Sequence, residues 1–405
     1  MLRYMAKVPP LSSGLLVEEE SSVATRTEAV LFLGRCLNYD DSVSAIADLR
    51  RLLSRGRIDW ITVVDIANRH HVAPTLWLAL KRKALTDSLP VDLQNYLAML
   101  HDLNRQRNQL IREQAIEAAS ALKRQGLCPI LMKGGISLFE DGVDDGLCMM
   151  ADIDMLVQEN ELAAGAAALY SLGYFLLRTP PSHAHAWTFH RPMSLVTIDL
   201  HRHVGPQRDL LTPMAARDAA VSLPGEGGTL PGLSPTHRAQ LLLMTFGIFE
   251  RHFRNGHIPL KGLHDLAALY NRHGDKIDWE AITKTAELHR FSASAQAFLH
   301  LAHCILAVPM PAFLHETTAS RRHLRRCLLQ LALPPFEQAV RSWTYLAWPF
   351  DCFRMDYRYG CGVRGLGLYV ARLQHAAGIL ARHNPLLLRR TPGPASGAMN
   401  GSGRI

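Results

Sequence analysis

Asp152-Ile153-Asp154 heads an apolar run, and a third acid, Asp199, lies inside LVTIDLHRHV. Successive strand side chains point to opposite faces, so Asp152 and Asp154 share one face while Ile153 points into a core. The same alternation puts Thr197, Asp199 and His201 on one face, with Ile198 and Leu200 on the other. If the two strands are neighbours, three carboxylates meet at one place. They repel one another unless cations sit between them, and such a cluster suits hard ions such as Mg²⁺. Asp-x-Asp alone carries little information. An apolar strand, Lys133-Gly134-Gly135, Asp-x-Asp before Met-Leu-Val and a later Ile-Asp-Leu-His make a far more specific combination.

The elements that must hold these residues are short. Between Gly126 and Pro206 the apolar runs CPILMK, DIDMLV, YFLLR, AWTFHR and LVTIDLHR read as strands, and Glu159–Leu172 reads as a helix that stops at Gly173. This α+β unit is small, so helices on both sides must cover it. The expected fold is therefore predominantly helical, with a small mixed sheet flanked by N- and C-terminal helical regions. Residues 1–24 read as a loose tail, 25–125 as helices, 126–221 as the α+β core and 222–235 as a Pro/Gly-rich connector. Residues 236–385 read as helices again and 386–405 as a Pro/Gly/Ser-rich tail. Val91–Gln125 has helical spacing throughout and is read as one long helix, or two with a bend, ending at Gly126.

A Gly-Gly turn, Asp-x-Asp on a strand and a third Asp on a later strand resemble the polymerase-β-like nucleotidyltransferase superfamily. The wording LMKGG, ADIDMLV, SLGYFLLR and IDLHRHV is similar to its bacterial branch of uncharacterised nucleotidyltransferases, and the resemblance spans Leu110 to Arg290. LKGLHDLAALY followed by DKIDWEAI resembles the helical half that follows the catalytic unit in that branch. The resemblance implies that Asp152 and Asp154 hold two divalent metals, Mg²⁺ or Mn²⁺, and that Asp199 helps bind one and activates the acceptor hydroxyl. It implies also that Gly134 and Gly135 let the backbone approach the triphosphate of an NTP. One position departs from the pattern: Cys148 stands where the branch carries an arginine, so phosphate neutralisation must come from elsewhere or be impaired.

Other residues bear on that gap. Lys133 has two readings, a phosphate contact or a strand-end lysine that keeps the chain soluble. With a helix after it, the glycine pair would turn amide groups toward phosphate. Arg178, Arg191 and Arg202 are candidate substitutes for the missing charge. His201 is placed to touch a metal or the acceptor, or to be packed and hydrogen-bonded. His183, His185, His190 and His203 complete a histidine-rich stretch, but they lack the cysteines or ordered pairs of a structural zinc site. No GxSxG, P-loop or GxGxxG motif points to another enzyme class.

Composition sets outer bounds. The chain has 405 residues and a formal net charge of +8. From Arg321 to the end there are 13 arginines, no lysine and 3 acids, so the positive charge collects there. This reads either as a platform for RNA, helped by the aromatics of Trp343–Gly360, or as a solvated helical face whose aromatics pack inward. No apolar run is long enough to span a membrane, and the N-terminus lacks the pattern of a signal peptide, which points to the cytosol. Seven cysteines without CxxC spacing fit reduced thiols. The expected activity is metal-dependent transfer of an NMP from an NTP to an unidentified hydroxyl on RNA, a protein or a small molecule. By resemblance, peptide or polysaccharide biosynthesis is the setting. The alternative, from another class, is a catalytically weak relative that binds nucleotide, peptide or RNA as a partner protein.

Overall fold

The computed structural model describes residues 22–55, 57–177, 185–205, 210–224, 229–311, 316–347, 350–361 and 365–383. Nearly all of the two expected tails, together with Arg178 and His183, lie outside the described residues. Contacts divide the chain into two compact units, Met1–Arg341 and Ser342–Ile405. The architecture is α+β and mostly helical, with a two-stranded pair and one mixed seven-stranded sheet among the described residues.

Strands β1 (Ser22–Val23) and β2 (Arg57–Ile58) form the small parallel pair. The large sheet contains β3 (Ile130–Leu131), β4 (Asp152–Leu156), β5 (Phe175–Leu176), β6 (Ala186–His190), β7 (Thr197–His201), β8 (Val221–Leu223) and β9 (Leu230–Gly232). Their order is β5-β6-β7-β4-β3-β9-β8. The central neighbours β4 and β7 are parallel; β3 runs antiparallel to β4, and β6 antiparallel to β7. The stretch read from sequence as a connector, Ser222–Pro235, carries most of β8 and all of β9. Its prolines and glycines hid the strands, yet Pro231 can be accommodated because β9 pairs with β3 through only a single register position, Leu131↔Gly232.

The sheet's apolar face is sealed by helices. Ile153, Met155, Ile198 and Leu200 are fully buried in one cluster with Ile111, Ala115, Ala118 and Leu122 of the helix Val91–Arg124. That segment is one unbroken helix. Its run of alanines lets the backbone come close to the sheet, and it ends where Gly126 takes a left-handed φ of +75°, a conformation cheap only for glycine. The same helix reaches past the core to the loop before β4. Asn108 Nδ2 donates to the carbonyls of Asp145 (2.6 Å) and Cys148 (2.7 Å), and Asn104 Nδ2 to that of Gly146 (2.8 Å). One turn apart on one helix face, these two amides fix the chain that leads into Asp152.

On the other side, Ser234 caps the helix Pro235–Met244, with proline at its first position as helix starts prefer. The helix Leu260–His273 follows a π-helical turn, Thr245–Phe249. Both helices are clamped to the segment that follows β3 through Glu140, nearly buried. Arg238 and His273 pair with Glu140 Oε1, the latter at 3.1 Å, and Arg272 reaches Oε2 at 3.4 Å. Burial opposes the Glu140 charge, but the Arg238 hydrogen bond and ion pair outweigh it and hold the carboxyl below its ordinary range.

In the second unit, helices Cys352–Tyr359 and Leu366–His383 pack around Met355, Leu368 and Ala371. All seven cysteines are free. No described helix is long and apolar enough to cross a membrane.

Replacing Glu140 with alanine leaves Arg238 facing a half-buried cavity without its anion. Loss of about 3 kcal/mol is expected in urea denaturation, the cost of breaking one partner of a buried pair.

Candidate active site

The β4–β7 register brings the sequence-distant acids together. Asp154 lies directly opposite Asp199, Asp152 opposite Thr197 and Leu156 opposite His201. Ligand atoms of Asp154, Asp199 and His201 all lie within 4.8 Å of one another. Asp152 stands outside that set, two residues up the strand and more exposed, though close enough to act on both other acids. The trio drawn together most tightly is thus Asp-Asp-His, with His201 taking the place that Asp152 holds in the sequence pattern.

Two nitrogens already press on Asp154. Its Oδ1 accepts from Lys133 Nζ at 2.6 Å and faces His201 Nε2 at 2.8 Å. His201 Nδ1 faces the His203 carbonyl oxygen at 3.2 Å, so both ring nitrogens point at acceptors and both contacts are satisfied when both donate. Of the two readings of His201, the structure has the packed and hydrogen-bonded one, with Asp154 as one of its partners. The ring of His185 lies 5.5 Å from that of His201, and burial, aided by the neighbouring charge of His201, pushes His185 down to about 4.

The electrostatics follow from crowding. Burial works against an ionised Asp154, yet the His201 hydrogen bond and the Lys133 charge bring its carboxyl down to about 2. Asp152 moves the other way, raised by burial and then by repulsion from Asp154. Lys133 is raised: burial opposes its charge, but attraction to Asp154 prevails. Asp199 Oδ1 is buried without a hydrogen-bond partner. A buried carboxylate oxygen without a donor is costly, and a cation beside it would repair that cost. An all-oxygen pair from Asp154 and Asp199, with Asp152 at the mouth, is the donor chemistry a hard divalent ion takes, so the residues fit such an ion.

Lys133 is placed by strain. Its φ is +49°, left-handed for a residue with a side chain, in the turn between β3 and the 3₁₀ helix Lys133–Phe139. The Met132 amide donates to the Asp154 carbonyl at 3.1 Å, so the backbone is pinned just before the turn. At Gly134 a Cβ would stand 2.9 Å from Met150 Cγ and 3.2 Å from Cys148 Sγ. Bare backbone there serves the packing of the loop before β4. Gly135 is buried, and a Cβ there would make only an ordinary contact with Leu131.

A family model described as an uncharacterised nucleotidyltransferase matches residues 56–307. The chain belongs to this family. Among curated proteins, no relative matches it. Membership in a nucleotidyltransferase family makes nucleotidyl transfer the general chemistry and a nucleoside triphosphate the substrate class. The matched span includes the long helix, the whole sheet, and the helices through Leu306.

Of the arginines that sequence reading offered for the missing charge, Arg191 is bound to Glu117 (2.8 Å) and Arg202 to Glu159 (2.9 Å). Sequence reading did not single out two residues whose charges act in this region, Glu250 and Lys261. Glu250 follows the π-turn and precedes Arg251, whose φ is +62°. Its carboxyl is lowered chiefly by a hydrogen bond from His252, then, against burial, by His252, Lys133 and Lys261. Lys261, on the helix Leu260–His273, pairs with Asp265 at 2.8 Å, and its charge works against the upward push that burial gives the Cys148 thiol. The π-turn that precedes Glu250 is invisible in sequence periodicity.

Because Asp154 is held at about 2 in the folded chain against an ordinary 3.8, its contribution is complete above the ordinary value and disappears as pH falls through about 2. The metal-free protein is expected to lose about 2 kcal/mol from this group between pH 4 and pH 2. The stability gap between wild type and Asp154→Asn in urea titrations should narrow over that interval. Asp152 has the opposite sign, so Asp152→Asn is expected to raise the melting temperature in metal-free buffer at pH 7, read by differential scanning fluorimetry.

Proposed function

We propose that the protein transfers an NMP from an NTP to a hydroxyl acceptor, using Asp152, Asp154 and Asp199 to hold Mg²⁺ or Mn²⁺. What carries this reading is the buried, unpartnered Asp199 Oδ1, opposite Asp154 in the strand register. A divalent ion bound by these carboxylates would neutralise the triphosphate and lower the pKa of the acceptor hydroxyl.

The chain's own groups have definite tasks in this reading. His201, anchored on the His203 carbonyl, orients Asp154 as a hydrogen-bonded partner of a ligand residue. Lys133 is the counter-charge of Asp154 in the resting chain and becomes available to phosphate oxygens when the carboxylate takes another partner. The Gly134–Gly135 backbone borders the path of the triphosphate. Asp199 accepts the acceptor's proton. The acceptor oxygen forms a bond to the α-phosphorus, the bond from that phosphorus to the bridging oxygen breaks, and pyrophosphate leaves with the electron pair.

A second reading, a nucleotide-binding partner protein without transfer, draws on one observation. Lys133 and His201 both occupy Asp154 Oδ1, and a chain that keeps them there would bind nucleotide without turnover.

Incubation with each α-labelled NTP and a panel of RNA, protein and small hydroxyl acceptors separates the two. Label transfer that falls by about 10³-fold in Asp154→Ala and Asp199→Asn supports the enzyme; saturable NTP binding with no transfer to any acceptor supports the partner protein. Independently of turnover, Mg²⁺ or Mn²⁺ at one hundred times its dissociation constant should stabilise wild type by about 2.7 kcal/mol and leave Asp154→Ala unmoved.

A further inference from the structure

Just after the π-turn, the stretch His252-Phe253-Arg254-Asn255-Gly256-His257 carries two imidazoles five residues apart. Gly256 decides how they meet. Its φ is +65°, and it closes the short helix His252–Asn255. The Gly256 amide donates to the Phe253 carbonyl at 3.4 Å, and the His257 amide to the His252 carbonyl at 3.0 Å. A helix stop with this pair of bonds brings the side chains of its two outer residues together, and that contact is ordinarily apolar. Here both residues are histidines. Their rings lie 4.9 Å apart and their Nδ1 atoms 3.1 Å apart.

The arrangement is held from outside as well. From the helix Thr318–Ala332, Gln330 Nε2 donates to the Asn255 carbonyl at 2.9 Å and Arg326 to the Arg254 carbonyl. A Cβ at Gly256 would collide with the Gln330 side chain. His252 is fixed at its far nitrogen: Nε2 lies 2.7 Å from Glu250 Oε2. The carboxylate can only accept, so a neutral His252 carries its proton on Nε2 and presents a lone pair at Nδ1. His70, at the end of the helix Trp60–Arg69, stacks on His257 with ring centroids 5.3 Å apart and planes at 16°. His257 is exposed and His252 keeps a fifth of its side chain in contact with solvent, so the pair of rings is reached from outside.

We propose that His252 and His257 form a second metal site, which takes a borderline transition ion of the Zn²⁺ class through both Nδ1 atoms. An ion about 2.0 Å from each nitrogen sees the 3.1 Å pair at an angle of about 100°, which tetrahedral and six-coordinate ions both accept. The ion takes the place of the proton between the two Nδ1 atoms, and that proton moves to the other nitrogen of His257. Glu250 is then the outer carboxylate that metal-bound histidines commonly carry, holding the ring's orientation and raising its basicity. Two protein donors leave the remaining positions to water, so this is an open chelate and not a closed structural zinc site. It shares no residue with the Asp154, Asp199 and His201 group. Imidazole nitrogens suit a borderline ion and carboxylate oxygens a hard one, so the two sites divide ions by donor chemistry.

Isothermal titration of the full chain with Zn²⁺, in saturating Mg²⁺, tests this. Wild type is expected to bind Zn²⁺. His257→Ala, a change at an exposed residue, should weaken that binding by at least about tenfold, and Glu250→Gln by about tenfold. Asp154→Ala should leave it unmoved. Cu²⁺ in place of Zn²⁺ gives a second readout: electron paramagnetic resonance should show hyperfine coupling to two imidazole nitrogens in wild type and to one in His257→Ala. Absence of Zn²⁺ binding in wild type, equal affinity in wild type and His257→Ala, or binding lost in Asp154→Ala overturns the assignment. None of these measurements reads nucleotidyl transfer, so the transfer reading is tested separately.

Discussion

Like charges brought close in a dry place are the governing constraint of this molecule. The parallel pairing of β4 and β7 sets Asp154 against Asp199, and the Asp-x-Asp spacing adds Asp152 on the same face. Backbone hydrogen bonds and an apolar reverse face drive that pairing, and the acids are carried along with it. The rest of the site answers the repulsion. Lys133 is bent into a left-handed turn to reach Asp154, His201 is buried to donate to it, and Asp152, with no cation of its own, retains its proton more readily than an ordinary aspartate.

The helices around the sheet are organised by the same need for placement. Val91–Arg124 seals the apolar face with small side chains and, beyond the core, uses Asn104 and Asn108 to hold the loop that feeds β4. Glu140 joins the turn after β3 to two helices that arrive more than ninety residues later. Two guanidinium groups and an imidazole converging on one nearly buried carboxylate make a stiff joint between the turn that carries Lys133 and those helices.

The acids were legible because strand alternation is a local rule: Asp152, Ile153 and Asp154 declare two faces without any knowledge of neighbours. Val91–Arg124 was legible for the same reason, as was its stop at Gly126. What escaped was whatever depended on pairing or on strain. Leu230–Gly232 reads as connector because proline and glycine argue against a strand, and only its position beside β3 makes it one. The place of His201 in the trio follows from interstrand register. Glu250 is turned by a π-helical step that leaves no periodic trace, and Lys261 lies 128 residues from Lys133, within an ordinary amphipathic helix. The arginines Arg191 and Arg202 attracted attention by proximity in sequence, but acids on other elements claim them.

The contact between Lys133 and Asp154 has a bearing on how the chain folds. Because the chain carries an internal counter-charge, the acid most deeply enclosed is paired from the moment the strands assemble. The sheet therefore need not wait for a ligand to offset this buried charge, and folding is uncoupled from the filling of the site.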